Sequence, residues 1–357
     1  MSESISSTND CIDVLPAHQF DERALASYLS ANVEGFVAGV SVKQFQGGMS
    51  NPTFRLEDGS GARYVLRKKP PGKLLPSAHA VEREFRVISA LRDTGVPVPR
   101  TAVLCEDDSV IGTAFYVMEH VVGRVFLDPA LPDLAPATRN DVYFAMNTAL
   151  AALHSVDYSA VGLSDYGRQG GYCTRQIKRW TQQYLASKTD DLAAMDALLT
   201  WLPEHLPSED LTCIAHGDYR LGNMVFHPER SEVLAILDWE LSTLGHPYAD
   251  LAYNCLSYYV PNASRGDLVK ADLDALGIPS ENEYLKAYCA ARGLTEIRDW
   301  TFYLVLSLFR LAAITQGVYH RGLQGNASDP RALERKGNCA RLSEIAWRLV
   351  QHSSARS

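Results

Sequence analysis

The sequence predicts an α+β protein of two lobes, a small one built on an antiparallel sheet and a larger, mostly helical one. Three observations carry this. Residues 40–68 hold three short runs of strand composition, VSVKQFQ, PTFRLE and ARYVLRKK, punctuated by GG and DGSG. A helical run over 78–95 and two further strand-like runs, VPVPRTAVLCED and TAFYVMEHV, complete a sheet with one helix packed on it. Past Gly123 the apolar spacing becomes helical over most of the remaining chain.

Taken in order, residues 1–15 are expected to be a flexible leader. DERALASYLSANV (21–33) spaces Leu25, Tyr28 and Leu29 as a helix does, with Asp21 as a cap. In the helix over 78–95, Val81, Phe85, Ile88 and Leu91 share a face and Gly95 ends it. The small lobe is set at residues 16–123 and the large lobe at 124–357. Large-lobe helices are expected at 136–154, 173–187, 190–202, 247–259, 281–291, 296–320 and 330–351. One strand pair, MVFH and VLAILDW, turns around PERS. A cleft between two lobes is the usual place for a ligand.

Composition narrows the function classes. With 34 Lys and Arg against 42 Asp and Glu, the net charge of −8 argues against a protein that coats nucleic acid or an anionic membrane. Seven cysteines lack metal-ligand or disulfide-framework spacing, which suits reduced thiols in the cytoplasm. The apolar stretch WTFYLVLSLFRLAAI contains Arg310 and is expected to be a buried helix. The oligomeric state has no signature in the sequence.

The chemistry concentrates in HGDYRLGN (216–223). Phosphoryl transfer to an alcohol needs a carboxylate to orient the hydroxyl and oxygen ligands to hold Mg²⁺ on the phosphates. Asp218 suits the first task. Asn223 suits the second, together with Asp238 in AILDWE, which the strand pair folds back beside the loop. His216 either braces the loop against backbone near Asp238 or is a satisfied core histidine. Asp250, in GHPYADLAY, either caps its helix or braces the same loop.

On the small lobe, YVLRKKP offers a cation to the phosphates, Arg67 or its competitor Lys69, and Glu84 on the following helix can pair with it. Gly47, Gly48 and Ser50 in QGGMSN offer small side chains and N–H groups to cover phosphates. At the lobe junction, the carbonyl of Glu119 and the N–H of Val121 can meet an adenine edge.

Taken together, these segments resemble the aminoglycoside phosphotransferases, relatives of the protein kinases, from about residue 40 to 320. MEHV is similar to a kinase hinge, HGDYRLGN to the catalytic loop and ILDWE to the metal-binding segment. The sequence departs in lacking a full GxGxxG and in placing Arg67 where a lysine is expected. The resemblance implies a bilobal, protein-kinase-like fold, ATP as cofactor, Mg²⁺ and a small-molecule hydroxyl acceptor. YVLRKKPPGKLLPSAHAVEREFRVISAL and LFRLAAITQGVYHRGLQGNA further resemble the phosphotransferase domain joined to certain acyl-CoA dehydrogenases. That subgroup implies a hydroxyacyl-CoA acceptor. Arg310, His320 and Arg321 either meet such an anionic substrate or serve ordinary helix solvation and salt bridges. Outside this reading stand a catalytically silent nucleotide-binding module, an aminoglycoside or choline-type alcohol kinase, and a metal-dependent hydrolase using His216, Asp218 and Asp238.

Overall fold

The structure is a computed structural model and describes residues 5–7, 11–45, 51–70, 79–261, 266–327 and 329–354. Gly47, Gly48 and Ser50 lie outside the described residues.

The chain starts with β1 (Ile5–Ser7) and β2 (Cys11–Ile12), followed by α1 (Glu22–Asn32). The Asp21 side chain caps α1 by accepting from the Arg23 and Ala24 N–H groups, as its position predicts. Then come β3 (Val40–Phe45), β4 (Thr53–Asp58), β5 (Arg63–Lys68), α2 (Val81–Leu91), β6 (Thr101–Cys105) and β7 (Phe115–Glu119). These strands form an antiparallel sheet in the order β2-β3-β4-β5-β7-β6. Its inner positions alternate, so Phe54, Leu56, Leu66, Phe115 and Val117 bury one face against Leu25 and Leu29 of α1. The other face carries Val65, Tyr116 and Met118 against α2 and the cleft.

Residues 11–12, expected in the leader, pair with Phe45 and Gln44 at the sheet edge. β1 pairs instead with β8 (Arg124–Phe126) of the large lobe. Two- and three-residue strands carry too few side chains for a periodic signal, so the sequence does not announce them.

The large lobe continues with α3 (Pro136–Ser155), α4 (Tyr172–Ser187), α5 (Ala193–Glu204), β9 (Cys213–Ala215), β10 (Met224–Phe226), β11 (Val233–Ile236) and β12 (Thr243–Gly245). It ends with α6 (Pro247–Asn254), α7 (Leu273–Leu276), α8 (Glu281–Arg292), α9 (Trp300–Leu323) and α10 (Asn338–Ser354). β10 and β11 are the expected strand pair. The pairing of β9 with β12, which brackets HGDYRLGN and the β10–β11 pair, was not expected. Helix α9 is long and apolar enough to cross a membrane by length and composition, but most of its apolar residues are buried, and it packs against α4, α6 and α10. No disulfide joins the seven cysteines, six of which are buried.

Candidate active site

The lobes meet around a cavity of about 990 Å³. Val65, Arg67 and Met118 line it from the small lobe, Glu119 and Val121 from the lobe junction, and Asp238 from the large lobe. Apolar walls with a few convergent charges are the ordinary make-up of a ligand site.

Strand alternation and position decide between three basic residues at the end of β5, Arg67, Lys68 and Lys69. Lys68 points to the α1 side, buried near the rings of Phe20 and Phe54. Lys69 lies past the strand and pairs with Glu82 at 3.0 Å. Arg67 faces the cavity and α2. Its Nε lies 3.1 Å from Glu84 Oε2, an ionic contact whose angle is not that of a hydrogen bond. Its Nη2 lies 2.6 Å from Asp238 Oδ1 and 3.5 Å from Glu240 Oε2. One guanidinium therefore ties the small lobe to the segment expected to hold metal.

Glu84 is buried and accepts from Asn51 Nδ2 at 2.8 Å and from the Tyr116 hydroxyl at 3.2 Å. Burial pushes its carboxyl up, and the Arg67 guanidinium pulls it back. Asn51 and Tyr116 escaped the sequence reading. Tyr116 sits in ordinary strand surroundings and Asn51 in a bend just before β4, and only the fold points them at Glu84.

The large-lobe loop is fixed through its backbone. Asp250, on α6, accepts from the N–H of His216 at 2.7 Å and of Gly217 at 2.9 Å. Of the two roles open to Asp250 it takes the brace, since His246 caps α6 by accepting from the Tyr248 N–H. Burial works against the Asp250 charge, but the hydrogen bond from His154 and the backbone N–H of Gly217 hold its carboxyl below the usual range. Gly217 sits at φ +84°, and a Cβ there would stand 2.7 Å from the Leu241 carbonyl oxygen.

His216 is fully buried, and both ring nitrogens are engaged. Its Nδ1 accepts from the Asp218 N–H at 3.2 Å, so the network assigns the proton to Nε2, which donates to the Leu237 carbonyl at 2.9 Å. It is thus both brace and core histidine. A hydrolase using His216 as a metal ligand has no free nitrogen to use.

Asp218 accepts at both carboxylate oxygens. The Tyr253 hydroxyl donates to Oδ1 at 2.6 Å. Asn223 Nδ2 donates to Oδ2 at 2.8 Å, and Arg220 Nε approaches the same oxygen at 3.2 Å. Asn223 Nδ2 also donates to the Asp218 carbonyl, which turns the amide oxygen the other way. The Leu237 N–H donates to the Asn223 carbonyl at 2.8 Å, and Met224 pairs with Ile236, so the chain after β11 lies against the loop. Asp238 there adopts φ 65° and ψ 59°, a left-handed conformation uncommon for a residue with a side chain. An amide oxygen and a carboxylate make a hard donor set that fits Mg²⁺.

Arg310 takes a role that neither expectation named. Its Nη2 donates to the Gly217 carbonyl at 2.8 Å, so it serves the loop. His320 and Arg321 lie in the last turn of α9.

Comparison with known proteins bears on the family and the fold. The model of the phosphotransferase enzyme family matches residues 41–300. Acyl-CoA dehydrogenase family member 10 of Mus musculus is 49% identical over 330 residues, 91% of this chain and 30% of that protein. Acyl-CoA dehydrogenase family member 11 of Rattus norvegicus is 46% identical over 356 residues, 97% of this chain and 45% of that protein. The chain therefore spans less than half the length of these relatives. Among solved structures, a Ralstonia eutropha protein provisionally named an aminoglycoside phosphotransferase is 48% identical, with a TM-score of 0.86 over 94% of this chain and 99% of that one. At the level of fold alone, the aminoglycoside phosphotransferase APH(4)-Ia, crystallised with ADP and hygromycin B, superposes with a TM-score of 0.59 at 14% identity, over 91% of this chain and 98% of that one. The fold is the bilobal, kinase-like one, and the chain belongs to the phosphotransferase enzyme family.

Proposed function

We propose that this protein is an ATP- and Mg²⁺-dependent small-molecule kinase that transfers the γ-phosphoryl group to a substrate hydroxyl. One observation carries the reading. Arg67, paired with Glu84, reaches Asp238 across the cleft, beside a loop that presents Asp218 and Asn223 on opposite hydrogen-bonding duties.

Asp218 orients the acceptor hydroxyl and takes its proton as the oxygen bonds to the γ-phosphorus and the bond to the β–γ bridging oxygen breaks. Asn223, through its amide oxygen, and Asp238 would hold Mg²⁺. Arg67, positioned by Glu84, binds phosphate oxygens, and the backbone at Glu119 and Val121 meets the adenine edge. ATP supplies the phosphoryl group, and Mg²⁺ neutralises the charge that develops on its oxygens.

The acceptor we favour is a hydroxyacyl-CoA. A second cavity, of about 230 Å³, opens beside the loop; Leu127, Met146, Leu256 and Leu311 line it, with Asn254, Ser257 and one cation, Arg220. No carboxylate lines it among the described residues. A largely apolar pocket with one cation suits an acyl chain with an anionic partner group better than a polycationic drug. The names of the relatives, acyl-CoA dehydrogenases, point the same way. In this reading the protein works in the cytoplasm, with neither nucleic acid nor membrane as partner.

The test is ATP consumption with Mg²⁺ across hydroxyacyl-CoAs, aminoglycosides, choline-like alcohols and hydroxy amino acids. Turnover with hydroxyacyl-CoAs is expected. Turnover with aminoglycosides alone would overturn the acceptor, and ATP binding without transfer would make the protein a nucleotide-binding module. Asp218→Ala is expected to lower turnover by about a thousandfold or more while keeping ATP affinity.

A further inference from the structure

Asp218 has a partner that the loop itself does not supply. Tyr253 lies one turn beyond Asp250 on α6, so the two side chains share a helix face. Asp250 takes the loop's backbone N–H groups, and the Tyr253 hydroxyl donates to Asp218 Oδ1 at 2.6 Å. A single helix therefore grips both the main chain and the reacting carboxylate.

Tyr253 is itself fixed from behind. The Arg310 guanidinium lies 5.3 Å from its ring centroid and 5.7 Å from that of Trp180, and it also donates to the Gly217 carbonyl. A cation held over the ring face restricts the tilt of the tyrosine. Tyr253 and Arg220 both line the 230 Å³ cavity where the acceptor would sit.

The two oxygens of Asp218 are served unequally. Oδ2 receives Asn223 and approaches Arg220, whereas Oδ1 receives Tyr253. Among the described residues, every other side-chain partner of the carboxylate lies at Oδ2, so without the Tyr253 hydroxyl the group is free to rotate about that anchor. A carboxylate that must meet a hydroxyl in one geometry loses rate by such rotation.

We propose that Tyr253 is a positioning residue that aims Asp218 Oδ1 at the acceptor hydroxyl, with Arg310 holding the tyrosine in place. The inference rests on the kinase reading of the same site. Its test is Tyr253→Phe, which keeps the ring and the Arg310 contact and removes only the O–H. With the acceptor that turns over, kcat is expected to fall by about tenfold or more, with KM for ATP within about twofold of wild type. An unchanged kcat, or a loss confined to KM for ATP, would overturn the inference.

A second readout needs no turnover. In urea unfolding, Tyr253→Phe is expected to destabilise the wild type more than it destabilises Asp218→Ala, because the bond is already absent there. Equal losses in the two backgrounds would overturn the contact. Failure of wild type to phosphorylate any acceptor would sink the kinase reading instead, and the unfolding cycle would still decide whether Tyr253 holds Asp218.

Discussion

The two walls of the cleft are held by different physics. On the large-lobe wall, HGDYRLGN is pinned by its main chain: two N–H groups on Asp250, a carbonyl on Arg310, and a histidine bridging to Leu237. On the small-lobe wall, one guanidinium reaches Asp238, backed by Glu84, which Asn51 and Tyr116 hold in place. Main-chain bonds fix a loop whatever ligand is present. An ion pair across a cleft can exchange its carboxylate for a phosphate, because both suit the guanidinium fork. The comparison teaches that the large lobe presets the reacting geometry and the small lobe adapts to the nucleotide. Changes on the first wall should therefore appear in folding and kcat, and changes on the second in KM for ATP.

The sharpest way to break this comparison is Asp250→Ala. It strips the acceptor from two buried N–H groups and the partner from His154. The expected cost is about 3–5 kcal/mol in urea unfolding, with turnover lost together with the loop. A stable variant with normal kcat would show that the loop does not depend on this brace. Gly217→Ala asks the same question more gently. Its φ of +84° and the approach of the Leu241 carbonyl predict a loss of about 2–3 kcal/mol. A loss below about 0.5 kcal/mol would mean that the loop moves aside easily.

Arg67→Lys tests the other wall. Lysine keeps the charge but cannot contact Glu84 and a phosphate with a planar fork. KM for ATP should rise about tenfold with kcat within about threefold of wild type. A fall in kcat at constant KM would assign Arg67 to the reacting geometry and erase the distinction between the walls.

The sequence makes the large-lobe wall more legible than the small one, and the reason is locality. Asp218 and Asn223 belong to one contiguous octapeptide, and the strand pair between them and Asp238 predicts its return. The lobes, the order of the small sheet and the cap on α1 are legible for the same reason, since each is written in a short window. Long-range partners are not. Asn51, Tyr116 and Tyr253 have ordinary neighbours in sequence and acquire meaning only when β4, β7 and α6 are packed. The role of Arg310 is not legible either, because a lone charge in an apolar helix does not reveal a backbone carbonyl 93 positions away. The short strands 5–7, 11–12, 213–215 and 243–245 pair because their neighbours bring them together.

The smallest expected effect concerns how α6, which carries both Asp250 and Tyr253, is anchored. His246 caps that helix through Nδ1, and its Nε2 faces the Glu209 carbonyl at 3.3 Å and the Tyr303 hydroxyl at 3.2 Å. Burial pushes its pKa down to about 4, against the pull of the Glu209 carbonyl. The folded state therefore keeps His246 neutral where the unfolded chain, near 6.5, takes a proton. Above pH 6.5 both states are neutral and the stability is complete. As pH falls from 6.5 towards 4, only the unfolded state binds the proton, and stability is lost across that window. His246→Asn keeps an N-cap acceptor and does not titrate, so at pH 7 it should cost under about 1 kcal/mol. Between pH 6.5 and 4, its urea midpoint should fall less steeply than that of wild type. Parallel slopes would place the proton uptake elsewhere; His154, whose pKa burial also lowers against the pull of Asp250, is the next group to replace.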